Sequence, residues 1–348
     1  MSSVGHSPIR ILCDLASFDP SKDDGAAQRY AMEIAWSLSE AGLAEIRIVG
    51  GRRTSVPSWI SGLRRRQHAR EVASAIADFK PDIVHRAGHT TPAGYRGTHR
   101  IFSTFSDPAT VAHSASTFES SHGHLICPSE SARSQAIQVL GLPRDQVSVT
   151  PPVVRSPQSQ GISRSARGNF FLFVGMRSAA ANFDSLLQAV ATTPTLSHTR
   201  IVAFGGGSFT GSERERFATL GLAARVTAVS GDDDALAGYY ASALALVHPR
   251  ISDDFGIPVL EAISNGCPVA SSRTSSLPGV GGDAALYFDP TDPADIATAL
   301  VHLSVDAGLR ERLAAAGRVR AAQFTWKACA EKMLEVYRSP VATADSLG

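Results

Sequence analysis

Short apolar runs alternate with longer stretches of helical spacing from one end of the chain to the other. Runs rich in Ile, Val, Leu and Phe fall at 9–13, 46–49, 83–85, 101–104, 124–126 and 147–150. Between them, helical spacing covers about 26–41, 64–78 and 129–140. The count restarts after residue 169, with strands expected at 170–174, 200–204, 226–229, 245–248 and 269–270. Helices are expected there near 182–191, 212–220, 233–241 and 258–265. Regular strand–helix alternation is the signature of βαβ units and parallel sheets. The interruption at 151–169 opens on Pro151 and Pro152 and continues in Ser, Gln, Gly and Arg, the composition of a linker. After Pro293 the pattern is mostly helical, and a last helix near 325–338 carries Trp326, Met333, Leu334 and Val336. The expectation is an α/β protein of two Rossmann-like domains facing a cleft. Its boundaries are 1–155, a linker at 156–169, 170–323, and a terminal segment 324–348 that packs back on the first domain.

Length agrees with two domains: 348 residues against a prior of ~150 per domain. Charge adds little, because 33 basic residues oppose 32 acidic ones and the net of +1 gives no global pull toward nucleic acid or membrane. Any such affinity must be local, and nucleic acid is not expected as a partner. Cys13, Cys127, Cys267 and Cys329 lie far apart with no zinc-site spacing, which reads as a reduced, cytoplasmic protein with no metal. The apolar stretch in the first 15 residues is too short for a signal peptide, and Asp14 follows it directly. No run approaches the ~18 apolar residues of a membrane span.

The stretch 245–270 carries the most chemistry. It reads as a strand, a polar loop and a helix opening at Gly256, Ile257 and Pro258. Proline suits a first helical turn, where its missing N–H is not needed, and the amides and dipole there attract an anion. Asp253 precedes that opening and Glu261 follows eight positions later inside the helix. Two carboxylates so placed can bracket a ligand with hydroxyls at both ends and a diphosphate between, the shape of a nucleotide sugar.

The run Asp253-Asp254-Phe255-Gly256-Ile257-Pro258-Val259-Leu260-Glu261 resembles the donor-binding signature of retaining family-4 glycosyltransferases of the GT-B fold, a Glu-x7-Glu pattern around Phe-Gly-Ile-Pro-Val-Leu-Glu. Residues 275–285 and 288–290 and the closing Phe324-Thr325-Trp326 are similar to that family too, with Gly279 in place of a Glu. The resemblance implies that Glu261 holds the nucleotide ribose, while Asp253, Phe255 and Gly256 hold donor-sugar hydroxyls. Ile257, Val259 and Leu260 complete the donor-binding turn. Phe171 to Phe183 resembles the family's Val-Gly-x-Arg-x-x-x-Lys-Asn-Phe, which implies a diphosphate clamp built on Gly175, Arg177 and Asn182. The Lys position is Ala181, and Arg250 is the candidate to replace part of that charge. Where relatives carry Thr-Ile-His-Asp, this chain has Ser106 and Asp107, assigned to the reaction centre with Arg177 and Asp253. Gly25 resembles the glycine loop that opens the first helix.

The implied function is transfer of a sugar from a nucleoside-diphosphate donor to an acceptor hydroxyl on a glycan, a lipid-linked molecule or a small molecule. The first domain would hold the acceptor and the second the donor, with no cofactor. The alternatives are a catalytically impaired homologue that serves as a binding or partner subunit, and a transferase with an unusual donor. Residues 59–70, with Trp59, Arg64, Arg65, Arg66 and Arg70, form a basic amphipathic stretch. It reads either as a peripheral contact with the inner membrane face or as an ordinary solvated helix.

Overall fold

The computed structural model describes residues 8–15, 25–50, 61–87, 100–104, 123–154 and 168–339. The chain divides into two units, Met1–Val153 with Thr325–Gly348, and Val154–Phe324. Ser106, Asp107, Trp59 and most of the 156–169 linker lie outside the described residues.

The first unit is built on six parallel strands: β1 (Ile9–Asp14), β2 (Ala44–Val49), β3 (Ile83–Ala87), β4 (Arg100–Thr104), β5 (Gly123–Cys127) and β6 (Val147–Val149). Their order is β2-β1-β3-β4-β5-β6. Helices α1 (Gly25–Glu40), α2 (Ser61–Phe79) and α3 (Glu130–Leu140) lie between strands. In the register of β1 and β2, Ile11 sits opposite Ile46, so branched side chains stack across the sheet. On one face Ile11, Cys13 and Ile83 pack against Ile34, Ala35 and Leu38 of α1. On the other, Leu12 and Val84 meet Val72 and Ala75 of α2.

Helix α11 (Trp326–Arg338) closes this unit from the far end of the sequence. Thr325 caps it by accepting the Ala328 N–H, which satisfies one of the orphan donors of a first turn. Residues 329, 330, 333, 334, 336 and 337 recur at helical spacing and are buried against α1 and β1. The terminal segment therefore belongs to the first unit.

The second unit has six parallel strands as well: β7 (Phe170–Val174), β8 (Arg200–Phe204), β9 (Val226–Val229), β10 (Ala245–His248), β11 (Val269–Ser272) and β12 (Ala285–Phe288). The order is β12-β11-β10-β7-β8-β9. Counted from its own first strand this is 3-2-1-4-5-6, the dinucleotide-binding order of Rossmann folds. Helices α4 (Phe183–Thr192), α5 (Gly211–Thr219), α6 (Asp233–Ser242) and α7 (Ile257–Ser264) connect the strands. α8 (Leu277–Gly281), α9 (Pro293–Val305) and α10 (Ala307–Ala321) follow. The unbroken apolar run of β7 is buried on both faces, as a central parallel strand requires. Phe171 and Phe173 join α4 and α9, while Phe170 and Leu172 join α6 and α7.

Two differences from the expectation stand out. β12 (Ala285–Phe288) was not among the expected strands. The first unit runs 2-1-3-4-5-6, which is flavodoxin-like at its start and not a second copy of the 3-2-1-4-5-6 order. Among the described residues no helix is long and apolar enough to cross a membrane.

Candidate functional site

In an open parallel sheet, ligands bind outside the carboxyl ends of the strands where the order reverses. In the second unit that point lies between β7 and β10. The loops leaving these strands hold most of the expected site residues.

After β7 the chain turns at Gly175, whose φ of 114° favours glycine. A short 3-10 turn (Ala179–Ala181) leads to Asn182, itself left-handed at φ 55°. The Asn182 amide donates to the Pro249 and Pro290 carbonyls at 3.0 and 2.7 Å, and its oxygen accepts from Ser185 at 2.7 Å. Asn182 therefore ties three strand-end loops together. The Ile251 N–H donates to the Ala180 carbonyl and locks the β10 loop to the β7 loop. Ala181, at the position of the family's Lys, is 1% exposed and part of the core.

Arg177 is turned inward. Its Nε donates to Glu213 Oε1 at 2.6 Å, and its terminal nitrogens donate to the carbonyls of Gly205, Gly206, Gly207 and Ser208 at 3.0–3.2 Å. The guanidinium stacks on Phe209, and the side chain is only 4% exposed. Gly206 has no room for a side chain, since a Cβ there would meet the Arg177 guanidinium at 2.7 Å. In this arrangement Arg177 braces the glycine loop after β8, and its donors are spent on protein.

The β10 loop is organised by Asp253. Oδ1 accepts the Phe255 and Gly256 N–H groups at 3.1 and 2.7 Å. Oδ2 sits 2.9 Å from His248 Nε2 and 3.1 Å from Arg250 Nε. Ser275 and Ser276 donate to its backbone carbonyl at 2.6 and 2.7 Å. Burial opposes ionisation of this carboxyl, yet the His248 bond and charge, the Arg250 charge and the Phe255 N–H hold it below the usual carboxylate range.

Gly256 then starts α7 with φ 92°. A Cβ at Gly256 would lie 2.6 Å from Leu277, so both conformation and space demand glycine. Val259 and Leu260 are fully buried, with their N–H groups bonded to the Gly256 carbonyl, and they hold the turn through the core. Phe255 is buried edge-on against Phe324. Ile257 is half-buried at the helix start. Glu261 is half-buried one turn into the helix, where its Oε2 accepts the Tyr240 hydroxyl at 2.9 Å. Burial, then Glu261, push the Tyr240 phenol well above its ordinary value, so it stays a donor across the physiological range.

The structure thus brings Gly175, Arg177, Asn182, Arg250, Asp253, Phe255, Gly256, Ile257, Val259, Leu260 and Glu261 to one sheet edge. Gly25 opens α1 of the other unit. Residues not anticipated are Tyr240, His248, Glu213, Ser275 and Ser276. His248 stood five positions before Asp253 on a strand end, the one spacing that pointed to it. No group of three His, Cys, Asp or Glu able to hold a metal occurs among the described residues.

Comparison with known proteins places this edge in context. Residues 155–320 match the family model described as "Glycosyl transferases group 1". The O-antigen chain mannosyltransferase B of Escherichia coli is 27% identical over 310 residues, covering 78% of each chain. A D-inositol 3-phosphate glycosyltransferase of Acidothermus cellulolyticus is 33% identical over 230 residues, and the match spans about half (51%) of that protein's length. The solved structure of Anabaena Alr3699/HepE in complex with UDP and glucose superposes with a TM-score of 0.72 at 13% identity. It covers 94% of this chain and 99% of that one. A likeness that runs through both units shows the GT-B fold class.

Proposed function

Because residues 155–320 match the family model described as glycosyl transferases group 1, we propose that this protein transfers a sugar from a nucleoside-diphosphate donor to an acceptor hydroxyl with retention at the anomeric carbon. The observation that carries the reading is Glu261, fixed by Tyr240 on the first turns of α7 beside the strand-order reversal. A carboxylate there accepts hydrogen bonds from two adjacent ribose hydroxyls. The diphosphate rests at the amino end of α7, where the helix dipole favours negative charge.

In the transfer step the bond from the anomeric carbon to the phosphate oxygen breaks as the acceptor oxygen attacks the same face. The acceptor proton passes to the departing phosphate. No protein base of high pKa is needed, and the developing charge is met by the helix end and basic side chains, with no cofactor or metal. The acceptor, a glycan or lipid-linked hydroxyl, is held by the first unit. HepE with UDP and glucose bound and the O-antigen mannosyltransferase support a nucleotide-sugar donor and a glycan acceptor.

The test is thermal unfolding of the full chain with UDP, GDP and their sugars, followed by NMR of any glycoside formed. A donor at 100 times its Kd stabilises the folded chain by about 2.7 kcal/mol, a readily measured rise in Tm. The expected product keeps the donor's anomeric configuration. Binding without turnover would point to the impaired homologue, and an inverted product would exclude retention.

A further inference from the structure

We propose that Arg250, anchored by Asp253, is the residue that recognises the second phosphate of the donor, so that Asp253 positions a cation and does not itself contact the sugar. This rests on the donor-site reading above.

A carboxylate offers about four acceptor positions. At Asp253 three hydrogen bonds take three of them, from the Phe255 and Gly256 N–H groups on Oδ1 and from His248 Nε2 on Oδ2, and Arg250 Nε lies against Oδ2 at 3.1 Å as an ion pair. A sugar hydroxyl donating to this carboxylate would compete with the Arg250 guanidinium for the remaining position. What the carboxylate does instead is hold two anion-attracting features side by side. One oxygen holds the start of α7 at Gly256 and the other holds the Arg250 guanidinium.

Arg250 is held only by its inner edge. Its Nε reaches Asp253 at 3.1 Å and the Ser252 carbonyl at 3.3 Å. Its two terminal nitrogens have no protein partner among the described residues, and the side chain is 33% exposed. A guanidinium fixed at Nε presents the outer two nitrogens as a planar fork, the geometry that suits phosphate. The Ile251-to-Ala180 and Asn182-to-Pro249 hydrogen bonds fasten the loop that carries it to the β7 loop. Arg250 therefore stands at the reversal point on a rigid support.

Among the described residues, Arg177 and Arg273 at this edge are committed to protein partners. Arg177 spends its guanidinium on Glu213 and the glycine-loop carbonyls. Arg273, after β11, pairs with Asp295 at 2.7 Å. A diphosphate carries charge beyond that of a monophosphate, and Arg250 is the cation placed to read the difference.

The experiment is calorimetric titration of wild type, Arg250→Ala and Arg250→Gln with UDP and UMP and with GDP and GMP. Gln keeps a neutral donor toward Asp253 while removing the fork, so it decides the matter should the Ala variant not fold. Loss of a bidentate, charge-assisted contact should weaken UDP or GDP by at least ~10-fold while UMP or GMP changes by less than ~2-fold. If wild type binds a diphosphate and both folded variants keep its preference over the monophosphate, the assignment of Arg250 fails and the donor reading stands. If wild type binds none of the four, both fail.

Discussion

The two units share a layer plan and differ in the ionisable groups they use. Each places six parallel strands between helices, yet among the described residues the first buries three histidines, His68, His85 and His124, while the second buries one, His248, beside its carboxylates and arginines. In the first unit His68 Nε2 meets Asp14 Oδ1 at 2.9 Å, both side chains buried. His85 on β3 bonds the Tyr337 hydroxyl of α11 through Nδ1 at 2.5 Å, and His124 Nε2 lies 2.7 Å from Ser148. In the second unit the polar framework is Arg177 with Glu213, Asp253 with Arg250 and His248, and Glu261 with Tyr240. The difference matters because imidazoles change charge within a few units of neutrality, whereas guanidinium and low-pKa carboxylate groups do not. With three buried imidazoles against one among the described residues, the first unit is the half more exposed to a change of charge in acid.

Acid should separate the halves most strongly. Burial lowers His85 to about 4, and burial, outweighing the Asp145 charge, lowers His124 to about 4, from 6.5. Between those values the unfolded chain binds protons that the folded chain does not, so stability falls as pH falls. At pH 5 the loss is about 2 kcal/mol for each histidine. His68 works in the other direction. Burial opposes its charge, but the Asp14 bond and charge and Glu71 raise its pKa, so its contribution is present in acid and fades as pH rises through its folded value. The carboxyls of Asp253, Glu213 and Asp184 are all held low, so what they add to the second unit persists until pH falls below the ordinary carboxylate range. Hydrogen exchange read by mass spectrometry at pH 7.5 and pH 5 should show protection lost first in peptides of β3, β5 and α11. Earlier loss in β7 and β10 would reverse the comparison.

A smaller and local effect is expected at Arg177→Ala. The change leaves Glu213 and the carbonyls of the glycine loop without their shared donor, a loss of roughly 2–3 kcal/mol by analogy with hydrogen bonds to charged groups. Urea unfolding followed by exchange in peptides 200–219 should register it, with α1 and α11 unchanged. Full retention of protection around Gly205–Gly207 would show that Arg177 does not brace that loop.

Strand–helix alternation made most of both sheets readable from the chain, because buried parallel strands are unbroken apolar runs such as Phe170–Val174. The order of the strands was not readable, since periodicity carries no information about which strand lies beside which. The site shows the same boundary. Gly256 and Glu261 stood out through local spacing. Tyr240, which holds Glu261, lies 21 residues earlier on another helix and left no local mark. The carbonyls that accept from Arg177 come from the loop of the next strand, 28 to 31 residues away, so its inward turn could not be read from the run at 171–183. Asp253 was legible as a residue of the site, while its hydrogen bonds to His248 and two amides and its ion pair with Arg250 emerged only from the folded loop.

The central claim is that the β7–β10 edge of the second unit is a nucleotide site organised by Glu261. Its most direct test is calorimetric titration of UDP and GDP into wild type and Glu261→Ala, with circular dichroism confirming that the variant is folded. Removing a carboxylate that accepts two ribose hydroxyls should weaken binding by ~100-fold or more. Wild-type affinity in a folded Glu261→Ala variant would contradict the account.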